Sequence, residues 1–215
     1  MTEDQIVSLI AGKVVARIRA AARGDGRKLL PVNISARHIH LSAGDVAALF
    51  GQGHQLTKLK DLMQPGQFAC AETVAVVGPK GRFSQVRVLG PVRGDTQVEV
   101  SVTDARFLGL AIPIRMSGNI EGTPGITLEG PAGRVTIPRG VIVAARHIHL
   151  GAADAERFGV KHGQRVRIRT AGARPLTFDD VLVRVSDQFI PEMHVDTDEG
   201  NAAGIRDGDL VEILG

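Results

Sequence analysis

The chain has no tryptophan and no tyrosine, and only seven phenylalanines. Stacking platforms for single-stranded nucleic acid are therefore missing, and nucleic acid is not expected as a partner. Cysteine occurs once, as Cys70, so an intrachain disulfide is ruled out and a reducing compartment, the cytosol by default, is expected. No run of about 18 uncharged apolar residues occurs, so no helical membrane span is expected. A secretory signal is also lacking. Glu3 and Asp4 stand where a cationic region belongs, and Lys13, Arg17 and Arg19 interrupt the apolar stretch. Charge of one sign is scarce too: 26 basic against 23 acidic residues leave +3, which suits a small anionic ligand better than a polyanionic backbone.

What is present is enough chain, 215 residues, to bury a real core. Residues 4–22 carry Ile6, Leu9, Ile10 and Val14 at three- and four-residue spacing, which predicts a helix ended by Gly24 and Gly26. Such a helix either packs on the body or docks on a partner. Beyond residue 30 the pattern becomes short Val/Ile-rich runs of period two: Thr73–Val77, Gln85–Leu89, Gln97–Val102, Arg165–Thr170, Asp180–Val185 and Leu210–Leu214. The expected fold is mainly β, as barrels or a sandwich, with short helices at Ala43–Leu49 and Ala152–Phe158.

An internal repeat is the most informative feature. Val32-Asn33-Ile34-Ser35-Ala36-Arg37-His38-Ile39-His40-Leu41 returns as Val141-Ile142-Val143-Ala144-Ala145-Arg146-His147-Ile148-His149-Leu150, and Asp45 and Asp154 follow at the same offset. In a strand, positions i and i+2 share a face, so His38 and His40 aim at one point while Ile39 and Leu41 face a core. His147 and His149 do the same. Four of the seven histidines are spent this way, and paired neutral imidazoles are a natural metal half-site.

Other side chains carry weaker signals. His194, in the apolar Ile190–Val195 segment, offers a third nitrogen. Glu99 alternates with Val98 and Val100, a pattern that reads as a solvated strand carboxylate. Arg93 lies in a Gly-Pro turn, where a guanidinium can grip phosphate bidentately. His54 and His162 sit beside glycines in turns and should be exposed. Cys70, flanked by Phe68, Ala69 and Ala71, reads as a buried small residue rather than a nucleophile.

Taken together, Ser35–Ser42, Ala71–Val74, Gly78–Gly81, Val88–Arg93, Thr96–Ser101, Gly118–Ile120 and Ala145–His149 resemble the phosphate propanoyltransferases, the PduL-type phosphotransacylases. The likeness covers about residues 30–215. It implies two β-barrel domains, 27–36 plus 145–215 and 37–144, after an N-terminal helix and linker at 1–26. It further implies two zinc ions per chain in a dinuclear site, held by His38, His40 and Glu99 and by His147, His149 and His194, with Arg93 contacting phosphate. Acyl-CoA and phosphate would be the substrates, coenzyme A included, and the CoA-contacting residues stay unassigned. A homodimer is implied, in the cytoplasm or in a bacterial microcompartment whose shell or cargo proteins the N-terminal helix would bind. Three rivals remain at this level. They are a cupin-like enzyme with Asp45 near the motif, a dinuclear phosphoester hydrolase, and a non-enzymatic shell-interaction module.

Overall fold

The computed structural model describes residues 27–214. The helix expected at 4–22 lies outside the described residues. The described residues divide into two compact units: one takes 27–34 with Met63–Pro65 and 146–214, and the other takes Ser35–Leu62 with Gly66–Ala145.

The first unit is a closed six-stranded barrel made of β1 (Leu29–Ser35), β11 (His147–Leu150), β12 (Arg165–Arg169), β13 (Thr177–Val185), β14 (Glu192–Asp196) and β15 (Leu210–Leu214), in the order β1-β14-β11-β13-β12-β15. Helix α3 (Ala152–Phe158) follows β11, and α4 (Thr197–Ala203) follows β14. Closure removes free sheet edges. Leu30, Val32, Ile148, Leu150, Phe158, Ile168 and Met193 fill its core.

The second unit holds a nine-stranded sheet curled as a half-barrel. Its strands are β2 (His38–His40), β3 (Lys58–Asp61), β4 (Phe68–Val77), β5 (Arg82–Gly90), β6 (Gln97–Glu99), β7 (Ile114–Arg115), β8 (Ile126–Glu129), β9 (Arg134–Ile137) and β10 (Val141–Ala144). The order is β7-β10-β6-β2-β5-β4-β8-β9, with β3 paired to β4. Ile39, Leu41, Leu49, Val76, Val88, Val98 and Leu128 are fully buried in its core, which also receives α1 (Ala43–Phe50) and α2 (Val102–Leu108).

The mainly β expectation holds, with one barrel closed and the other sheet partly curled. The period-two rule works at both histidine motifs: Ile39, Leu41, Ile148 and Leu150 show no exposure and sit in the two cores. The strand expected over Gln97–Val102 stops at Glu99, because Ser101 becomes the N-cap of α2 and accepts from the Asp104 amide. Neither α2 nor α4 was expected, and each opens with a full capping box within two residues of a strand's end. Each ends on a left-handed glycine, Gly109 at φ 79° and Gly204 at φ 63°, a conformation other residues adopt at a cost.

Candidate metal centres

In the second unit, β2 runs antiparallel to β6, with His38 opposite Glu99 and His40 opposite Gln97. This register brings one donor atom from each of His38, His40 and Glu99 within 4.8 Å of the others. Glu99 Oε2 lies 3.5 Å from His38 Nε2, and Oε1 lies 4.0 Å from His40 Nε2. The reading of Glu99 as a solvated strand carboxylate is corrected: it is 8% exposed, and its whole run from Gln97 to Ser101 is buried on both faces. Alternation identified the two faces, but both are covered.

A neutral scaffold holds that carboxylate. Gln97 Nε2 donates to Glu99 Oε1 at 2.6 Å and the Ser117 hydroxyl donates to the same oxygen at 2.8 Å, while the Gly118 amide donates to Gln97 Oε1 at 2.7 Å. Burial alone would raise the Glu99 pKa, but the His38 charge and hydrogen bonds from His38 and Ser117 hold it well below the usual carboxylate range. Burial likewise opposes charge on His38, yet the Glu99 carboxylate leaves its pKa raised. His40 is pushed down to about 3, by burial first and then by His38 and Arg93. The anion thus draws positive charge to this point, and His40 stays neutral, the ligating form of imidazole.

Arg93 belongs to this group. Its amide donates to the Leu41 carbonyl at 2.9 Å, and its Nη1 donates to Ser117 Oγ at 3.1 Å, so the turn carrying it is fastened to the end of β2. Both neighbouring histidines feel its charge.

In the first unit, β11 runs antiparallel to β14, with His147 opposite His194 and His149 opposite Glu192. Donor atoms of His147, His149 and His194 fall within 4.8 Å of one another. The His147 and His194 rings stack with centroids 5.0 Å apart, and His149 stands 4.7 Å from His147. His149 is pushed down to about 2 by burial first, then by His147, His194 and Arg184. Its Nδ1 is buried with no hydrogen-bond partner among the described residues, a costly position for a polar atom unless something else satisfies it. Three imidazoles with an unsatisfied buried nitrogen fit a divalent ion of the zinc type.

The duplication extends further than the decapeptide. Two residues after the third donor, Glu99 or His194, comes the N-cap, Ser101 or Asp196; three residues on is the capping-box acid, Asp104 or Glu199. That acid grips the arginine ahead of the first histidine: Arg37 Nη2 donates to Asp104 Oδ1 at 2.7 Å, and Arg146 Nη1 to Glu199 Oε1 at 2.7 Å. In each unit one ion pair therefore ties the residue ahead of the His-x-His strand to the helix that follows the strand bearing the third donor. Aligning the copies past the first motif, at a second offset set by Gly109 and Gly204, would have found this in the sequence.

The remaining candidates stand apart. Asp45 is engaged by Ser42 and Thr96 and belongs to neither donor set, unlike a cupin ligand. His54 and His162 are exposed, as expected, and His54 pairs with Glu72 at 2.9 Å. Cys70 is fully buried, and burial first, then Glu72, pushes its thiol up to about 11. Ser117, Gln97 and Glu192 were not singled out by their sequence context; each is an ordinary polar residue until the register places it.

Two strand-built groups of His and Glu side chains that could each hold a metal ion sit on a mainly β scaffold, and known sequences say which class of protein carries them. The sequence model described as phosphate propanoyltransferase matches residues 31–206. The phosphate propanoyltransferase of Thermotoga maritima is 55% identical over 184 residues, covering 85% of this chain and 88% of its own. That of Clostridioides difficile is 47% identical over 211 residues, 98% of each chain. That of Shewanella putrefaciens is 46% identical over 213 residues, 99% of this chain and 97% of its own. The chain belongs to the phosphate propanoyltransferase family. It is an acyltransferase that moves an acyl group between coenzyme A and phosphate.

Proposed function

We propose that this acyltransferase is zinc-dependent, interconverting a short acyl-CoA, propanoyl or acetyl, plus phosphate with acyl phosphate plus coenzyme A. Two zinc ions per chain would be held, one by His38, His40 and Glu99 and one by His147, His149 and His194. The observation that supports this reading is the pair of close three-donor groups, each of which keeps a buried imidazole nitrogen unsatisfied among the described residues, His40 Nδ1 in one and His149 Nδ1 in the other. Three protein donors leave a coordination position open, as in catalytic rather than structural zinc sites. When bound, zinc supplies positive charge that polarises a thioester carbonyl and accepts a thiolate.

In the forward reaction a phosphate oxygen attacks the thioester carbonyl carbon, the carbon–sulfur bond breaks, and the sulfur departs as thiolate; no electrons are gained or lost overall. Arg93 is positioned to bind and orient the phosphate, steadied by Ser117. The Leu41 carbonyl, one residue past β2, holds the Arg93 backbone near the first donor set. No protein nucleophile is required, in keeping with the raised Cys70 thiol. The domains on this reading are 27–36 with 145–215 and 37–144, and the working form is a homodimer, cytoplasmic or within a microcompartment.

The test mixes purified protein with propanoyl-CoA and phosphate and follows thiol release, with and without a chelator, alongside metal analysis. Two zinc equivalents per chain and activity lost on chelation and regained with zinc are expected. A metal-free, folded protein that turns over normally sinks the proposal, as does a single iron or manganese.

A further inference from the structure

We propose that Glu192 is a positioning residue for the His147–His149–His194 set, the counterpart of Gln97 in the other unit. The argument starts from register. Gln97 stands opposite His40 and Glu192 opposite His149, the second histidine of each motif, and each lies two residues ahead of the third donor. Both are almost wholly buried, at 2% and 1% exposure. Both reach the third donor: the Gln97 amide donates to Glu99 Oε1 at 2.6 Å, and Glu192 Oε2 lies 2.9 Å from His194 Nε2.

The polarity is reversed between the copies. Where the third donor is a carboxyl group, its neighbour is an amide that donates a hydrogen bond to it; where the third donor is an imidazole, its neighbour is the carboxyl group. Each constellation thus keeps one carboxylate, on the donor in one unit and two residues earlier in the other. Glu192 does not belong to the mutually close donor group, so it supports the set rather than joining it. A carboxylate buried this deeply is costly unless its oxygens are satisfied. Asn33 on β1 donates to Oε1, and Gln64 donates to Oε2 at 2.8 Å and to the Ile190 carbonyl at 2.9 Å. Gln64 comes from Met63–Pro65, the three-residue excursion that belongs to the barrel unit. Glu192 is thereby fixed from two sides with its second oxygen 2.9 Å from His194 Nε2, the place from which a carboxylate would set the ring's orientation and basicity with Nδ1 as the ligating nitrogen.

This rests on the zinc reading above, and the experiment separates the two. Zinc affinities of both sites are measured by chelator competition on the full chain, and the visible spectrum of the cobalt-substituted protein is recorded, for the unsubstituted protein, Glu192→Gln and Glu192→Asp. Glu192→Gln should weaken one of the two sites about 10- to 100-fold, leave the other unchanged, and shift the cobalt bands of the weakened site. Glu192→Asp, which keeps the charge but withdraws it from His194, should show the same change at smaller size and serves if the first variant fails to fold. A purely structural Glu192 would lower the melting temperature of the metal-free protein while leaving both affinities and the cobalt spectrum as they were, and that result overturns the proposal. If the unsubstituted protein takes up no zinc, the zinc reading itself has failed.

Discussion

The two donor sets share a backbone plan and differ in chemistry. Each has His-x-His on one strand, a third donor on the antiparallel neighbour, a capped seven-residue helix after it, and an arginine clamp back to the motif. The difference is Glu99 against His194, which makes one set two imidazoles and a carboxylate and the other three imidazoles. Duplication has kept the geometry that aims the side chains while the charge was redistributed. A carboxylate donor offsets more of a divalent ion's charge than an imidazole does, so on the zinc reading the all-histidine set would leave a bound ion the stronger electrophile. Arg93 accompanies only the carboxylate-bearing set, whereas Arg184, whose Nη1 is 3.3 Å from His149 Nε2, accompanies the other.

The comparison breaks most sharply if one set is dispensable. His38→Ala and His147→Ala should each lose one zinc equivalent and lower turnover by about 1,000-fold or more, with folding retained by circular dichroism. A variant that loses its zinc but keeps its rate would demote that set to a structural role. Next in size, Glu99→His should weaken zinc at the first set about 10- to 100-fold, because Gln97 offers an imidazole no counter-charge; adding Gln97→Glu should recover most of it. Equal affinities for the single and double variants, measured by chelator competition, would show that the neighbour's charge is irrelevant. Arg93→Ala should raise the KM for phosphate about tenfold with a smaller change in kcat, as loss of a charge-assisted contact to an anion predicts. An unchanged phosphate dependence with weaker coenzyme A binding would reassign the residue. Smallest of all, Arg37→Met and Arg146→Met should each cost about 1 kcal/mol, or a few degrees in melting temperature, since both guanidiniums are partly solvent-screened at 40% and 32% exposure. A much larger loss at only one of them would show that the two clamps are not equivalent.

Much of this was legible in the residues because the informative signals were local. Period two placed His38, His40, His147 and His149 on one face and Ile39, Leu41, Ile148 and Leu150 in the cores. Glu99 was misjudged from spacing because alternation separates the faces of a strand but does not reveal whether a second layer covers the polar one; only the resemblance named it as a donor. The helices α2 and α4 escaped notice for a different reason. Thr197–Ala203 contains Asp, Gly and Asn, which favour caps and turns, so its helix depends on the capping box rather than on propensity. Gln64 and Asn33 are the hardest cases, since their shared partner Glu192 lies more than 120 residues away and no periodicity links them.

Barrel closure sets the order in which this polypeptide can mature. Leu29 at the start of the barrel pairs with Glu212 near its end, and the whole of Ser35–Leu62 and Gly66–Ala145 is made in between. During translation the opening strand leaves the ribosome long before its partner exists and waits with an exposed hydrogen-bonding edge. The sheet of the middle segment can assemble on the nascent chain, whereas the ring that holds His147, His149 and His194 closes only after the last strand is released.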